Sequence, residues 1–174
     1  MQEYPWYELI EDKQLVQGDI LLSCPLISPP STISPGKNVT ADVCEYNVIV
    51  MSQSCDLAQG KIQLVLVCPI WEMTDFVKIN ESYKNDKMKE TLRRGNLPGY
   101  HLLNQPKDFP QINDYLIVDF RKVFGVDINF LKEFSLKQGA RIRLLPPYRE
   151  HLSQAFARFF MRVGLPIDIP PFKK

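Results

Sequence analysis

Histidine is scarce in this 174-residue chain, with only His101 and His151, and the four cysteines form no C-x2-C pair. The spacings of 20, 11 and 13 between Cys24, Cys44, Cys55 and Cys68 do not suit a zinc ribbon. No apolar run approaches the roughly 18 residues of a membrane span. The start, MQEYPWYELIED, lacks a basic segment followed by an apolar one, so no secretory signal is expected. The sequons Asn38-Val39-Thr40 and Asn80-Glu81-Ser82 are then chance occurrences. A cytoplasmic protein with free, reduced cysteines, no metal and no cofactor is expected. Excess charge of one sign is also missing. With 21 Lys+Arg against 20 Asp+Glu, the net +1 excludes a chain that coats nucleic acid by charge alone.

What is present is an apolar content of 45%, which excludes global disorder. The length predicts one domain over 1–174 that needs no covalent staple. The near-neutral total hides an asymmetry. Residues 1–120 hold 10 Lys+Arg and 16 Asp+Glu, net −6, whereas residues 121–174 hold 11 and 4, net +7. Either the two parts attract each other, or the C-terminal part meets an anionic partner.

Along the chain, Glu8 to Gln17 reads as a short extended or single-turn lead-in. Ile20 to Ile27 reads as a strand, with Pro25 near its end where a missing N–H is tolerated. A Pro/Ser/Gly loop over 28–38 separates it from a second buried strand, Tyr46 to Met51. Gln59-Gly60-Lys61 turns the chain into a third, Ile62 to Ile70, rich in β-branched residues. Residues 72–98 read as a Lys/Glu-rich insertion with a helix around Lys87–Leu92, closed by Gly95 and Pro98. Arg93-Arg94 suits that helix's C-terminal dipole. Tyr100–Leu103, Tyr115–Phe120 and Lys122–Val126 read as further strands, the last two separate or one bent strand. Asn129–Phe134 reads as a short turn or helix. Ala140–Leu145 alternates basic and apolar residues, a half-exposed strand with Arg141 and Arg143 on one face. Pro146-Pro147 starts the clearest helix, Tyr148 to Val163. Its apolar stripe, Leu152, Ala155, Phe156, Phe159, Phe160 and Val163, is read as core. Gly164 and Pro166 end it, and an extended tail follows.

Ser52-Gln53-Ser54-Cys55-Asp56 is the densest polar cluster and directly follows a buried strand. It offers Cys55 as a nucleophile, or Ser52, Ser54 and Asp56 as a hydrogen-bonding site at a strand end. The plain alternative is that the Ser and Asp side chains cap the next turn while Cys55 packs inward. His151, beside Arg149, offers a general base with a phosphate clamp, or simply a solvated helix face. His101 reads as a satisfied strand residue. Candidate nucleic-acid contacts are Lys37, Arg121, Lys122, Arg141, Arg143 and Arg149, with Tyr148 or Phe124 for stacking. Salt bridging to the acidic part is their alternative.

Gly18-Asp19-Ile20-Leu21-Leu22, then Val48-Ile49-Val50-Met51-Ser52, then Leu64-Val65-Leu66-Val67-Cys68-Pro69-Ile70 resembles the PemK/MazF toxin family. Tyr115 to Val123 is similar to that family's later strand leading into a basic segment. The resemblance covers roughly residues 18–130, with the insertion at about 72–98. It implies an α+β protein built on a small antiparallel SH3-like β-barrel over 18–145, with an inserted helix and a C-terminal amphipathic helix and tail over 146–174. It also implies a metal-independent endoribonuclease, often dimeric. Relatives use an Arg in the first long loop and a Ser or Thr after the Pro-Ile strand. Here that loop holds Lys37, and Pro69-Ile70 is followed by Trp71-Glu72. A lysine supplies charge but no bidentate phosphate grip.

The expected function is therefore a toxin-like, nucleic-acid-interacting protein, a degenerate ribonuclease if an enzyme at all. The alternative is a non-catalytic protein-interaction module of a larger bacterial complex. Expected partners are RNA, or a protein partner such as an antitoxin, with no membrane. Trp6, Tyr4 and Tyr7 would cover a barrel edge or meet a second copy in a homodimer.

Overall fold

The computed structural model describes residues 4–30, 32, 36, 40–107 and 109–161. Lys37 and the expected helix end at Val163 with its Gly164 cap and tail lie outside the described residues. The fold is α+β. Its strands are β1 (Tyr7–Ile10), β2 (Ile20–Ser28), β3 (Asp42–Val50), β4 (Leu64–Glu72), β5 (Tyr100–Leu103), β6 (Leu116–Asp119), β7 (Phe124–Asp127) and β8 (Arg141–Leu144). Its α-helices are α1 (Ser54–Ala58), α2 (Met73–Ile79), α3 (Asp86–Arg93), α4 (Ile128–Gln138) and α5 (Tyr148–Phe160). None of the described helices is long and apolar enough to cross a membrane.

Every described strand pair is antiparallel. Six strands form one sheet in the order β2-β3-β4-β6-β5, with β7 also on β4; β1 and β8 form a second sheet. The two meet where Asp19 bridges Arg143 and the Leu144 N–H donates to the Gly18 carbonyl at 2.9 Å. Gly18 is required at that meeting. Its φ is +88°, and a Cβ there would lie 3.0 Å from the Leu144 carbonyl oxygen. Among the described residues the sheets are open, because no ladder returns from β5 or β7 to β1 or β2.

The order follows from local chemistry. β2 has β3 on one side and is an edge beyond Asp19, so Pro25 is tolerated. The β2–β3 register slips between Leu21 and Cys24, where Ser23 has φ 47°. Asn47 Oδ1 accepts from the Ser23 N–H at 2.9 Å, so this bulge bends the strand without orphaning its backbone. β4 changes partner midway. Leu64–Val67 pair with β7 and Ile70–Glu72 pair with β6, with Pro69 in the gap between them. Tyr115–Phe120 and Lys122–Val126 are thus two separate strands on opposite halves of β4.

Around Val48–Val50 and Val67–Ile70 both faces of the sheet are covered, which explains the continuous apolar runs there. Val48 and Val50 join a cluster with Val65, Val67 and α4's Leu131, whereas Ile49 joins one with Cys68, Ile70 and α5's Leu152. α4 is longer than the turn expected over Asn129–Phe134. Asp127 caps it, accepting from the Asn129 and Phe130 N–H groups at 2.9 and 3.0 Å. The insertion is helical, as α2, a 3-10 turn at Glu81–Lys84 and α3, and packs Phe76, Tyr83 and Leu92 against Tyr100 and Ile117. The lead-in at Glu8 contains β1, because residues 7–10 pair with β8.

Candidate functional site

The Ser52–Asp56 cluster sits where β3 runs into α1. Ser52 is buried, and its Oγ accepts from the Leu66 N–H at 2.8 Å. Ser54 Oγ accepts from the Gln17 N–H at 3.2 Å, while Gln17 Nε2 donates to the Met51 carbonyl at 2.8 Å. Both hydroxyls thus latch neighbouring segments onto the end of β3. Cys55 is exposed rather than inward-packed, and its Sγ lies 3.7 Å from Gln53 Oε1 and 3.8 Å from Asp56 Oδ1. These two contacts are to an amide and a carboxylate oxygen, and neither is the histidine or other cationic side chain that activates a thiol nucleophile.

The histidines stand apart from this cluster. His101 stacks on Phe120 at 6.2 Å, and burial followed by repulsion from His151 pushes its pKa down to about 4. It is therefore neutral at pH 7. His151 is exposed on α5, with its ring 6.3 Å from Tyr148. A cleft of about 620 Å³ does bring part of the cluster to α5: Ser52, Gln53 and Asp56 face Ser153, Phe156 and Ala157 across it. Neither Cys55 nor His151 lines it. Among the described residues, no group of three or more His, Cys, Asp and Glu side chains could hold a metal.

The basic candidates divide sharply. Arg141 is 1% exposed and Asp19 is 0% exposed. Arg141 Nε donates to Asp19 Oδ2 at 3.0 Å, and its terminal nitrogens donate to the Asp12 and Gln14 carbonyls and to Asp12 Oδ1. Arg143 donates to both Asp19 carboxylate oxygens, to Asp12 Oδ2 and to the Gln14 carbonyl. The two do share one side of β8, but that side is enclosed. This corrects the expectation of a half-exposed arginine face, and Arg141 has no route to a phosphate. Burial acts to raise the Asp12 pKa, but the Arg143 charge and the donors around it outweigh that and hold the carboxyl below its ordinary value.

Arg121 forms a two-point pair with Asp119 and lies 4.3 Å above the Tyr100 ring. Arg149 pairs with Glu150 at 2.9 Å. Lys122 has a different neighbourhood. Its Nζ lies 5.5 Å from the centre of the Tyr46 ring and 5.9 Å from that of Trp71. These rings are edge-to-face at 5.9 Å, and Phe124 is 6.0 Å from Tyr46. Continuing the Val48–Pro69 register two residues outward puts Tyr46 opposite Trp71. Pairing the second and third strands in the sequence could have found Tyr46 in this way. Asp12 and Gln14 carried no such signal, because they sit in irregular backbone.

The arrangement can therefore hold a planar group on an aromatic surface beside a cation, and an apolar segment in the cleft at α5. Among the described residues, no histidine, lysine or arginine lines the cleft beside Asp56. No protein-family model matches the chain, and no curated protein matches it.

Proposed function

We propose that this chain is a divergent relative of the PemK/MazF toxins that binds single-stranded RNA without cleaving it. On this reading the β1–β8 ladder and the six-stranded sheet are the two parts of a small SH3-like barrel, touching at Asp19 and Arg143. What supports it is the antiparallel succession β2-β3-β4 and the sharing of β4 between β6 and β7.

The observation that carries RNA binding is Lys122 held over Tyr46 and Trp71. An aromatic surface beside a cation suits an unpaired base and its phosphate. Loss of cleavage follows from residue type. The position after Pro69-Ile70, where relatives hold Ser or Thr, is Trp71, which stacks but supplies no acid or base. Among the described residues, the Cys55 thiol is hydrogen-bonded to Gln53 and Asp56 and to no basic side chain.

Fluorescence anisotropy with a labelled single-stranded RNA of about 20 nucleotides tests this. Affinity should fall steeply between about 50 and 200 mM salt. Trp71→Ala should weaken binding about tenfold, and Lys122→Ala should weaken it while lowering the salt slope by about one. No binding at low salt, or unchanged binding in both variants, overturns the reading. Cleavage of a pooled RNA library overturns its non-cleaving half.

A further inference from the structure

The face of β4 that supplies Cys68 and Ile70 to the core continues into Leu66 and Leu64, which are 41% and 61% exposed. Across from these leucines stand Phe156 and Ala157 of α5, with Ile62 at one end. The result is a cleft of about 620 Å³, within the roughly 300–1,000 Å³ of sites that take a ligand. Its wall is braced by the bond from the Leu66 N–H to Ser52, so the opening is built into the backbone. The rim is polar, with Gln17, Gln53 and Ser153 able to meet a peptide backbone.

Among the described residues, one charge lines the cleft. Asp56 is half-buried, and among the described residues it has no ion pair; its side chain meets only the Cys55 thiol, at 3.8 Å. A carboxylate beside an apolar surface gains most from a cation brought in with the apolar partner. We propose that this cleft docks a protein segment that presents two or three apolar side chains flanked by an arginine or lysine. The apolar residues cover Leu64, Leu66 and Phe156, and the cation closes on Asp56. This surface is independent of the aromatic platform around Lys122.

The test is a displayed random-peptide library panned on the immobilised full-length protein, followed by anisotropy with the selected peptide. The expected consensus pairs apolar residues with an arginine or lysine. Asp56→Asn should weaken that peptide about tenfold, Asp56→Glu should restore most of the affinity, and Leu64→Gln should weaken it about threefold. Leu136→Gln, at an exposed position of α4, should leave it unchanged. Leu64 and Asp56 are not in the core, and thermal melts of each variant verify folding. Failure to enrich any peptide, a consensus without a cation, or indifference to Asp56→Asn overturns the proposal. So does sedimentation showing a dimer that Leu64→Gln dissociates, which makes a second copy the occupant. Displacement of the peptide by labelled RNA overturns it as well, whereas failure of RNA to bind at all leaves it standing.

Discussion

Two basic pairs near the C-terminal end of the chain look alike in sequence and differ completely in place. Arg141 and Arg143 lie on β8 with their guanidinium groups closed around Asp19 and Asp12. Arg121 and Lys122 lie in the turn between β6 and β7, where Arg121 is paired with Asp119 and Lys122 lies over two rings. The first pair joins the two sheets. The second leaves an exposed cation over two half-buried rings. Charge along a sequence therefore gives the number of cations, while burial and partner decide which remain available for binding.

The largest effect should come from the buried pair. Arg141→Met leaves the enclosed Asp19 carboxylate with Arg143 as its remaining cation and should cost about 3 kcal/mol, the low end for breaking a buried ion pair, read as a lowered urea midpoint with unchanged slope. Full stability in that variant would break the comparison.

The next effect is in pH. The pKa of His101 is depressed to about 4 when folded, so between that value and about 6.5 the unfolded chain binds more protons. Stability should be complete above about pH 6.5 and fall as pH drops to about 4, by up to about 3 kcal/mol. His101→Phe should flatten this part of the profile in chemical denaturation at several pH values. The loss associated with Asp12 lies lower. Its folded pKa is below the ordinary carboxylate value, so its contribution is present above that value and disappears as pH falls through the depressed pKa.

Ser52→Ala removes the acceptor for the Leu66 N–H and should cost about 1–3 kcal/mol, whereas Cys55→Ala should change the melting temperature little. The smallest effect on stability belongs to the exposed cation. Lys122→Ala should shift stability by less than about 0.5 kcal/mol while weakening RNA binding, which is the reverse of Arg141→Met.

The strand runs were legible because both faces of the central strands are covered, so Val48-Ile49-Val50 reads as unbroken apolar sequence. The C-terminal helix was legible from its 3.6-residue stripe and Pro146-Pro147, but Phe160, read as core, is exposed at the helix's far end. α4 was under-read because its apolar pattern is weak and its start depends on a single cap, Asp127. Of the candidate site, the polar cluster after β3 and Lys122 were visible as residue types. That Ser52 serves the backbone, that Cys55 faces outward and that Tyr46 and Trp71 share Lys122 depended on pairings across the sheet.

Sequence alone determined where the first three buried strands and the C-terminal helix run, because these depend on periodicity and residue type, while the antiparallel α+β arrangement was implied by the resemblance of the strand motifs. Tertiary structure alone decided which arginines are enclosed, which faces of β4 are left uncovered and where the two sheets meet. Those outcomes depend on contacts such as Asp19 with Arg141, 122 positions apart in the chain, and no local pattern encodes a distance of that kind.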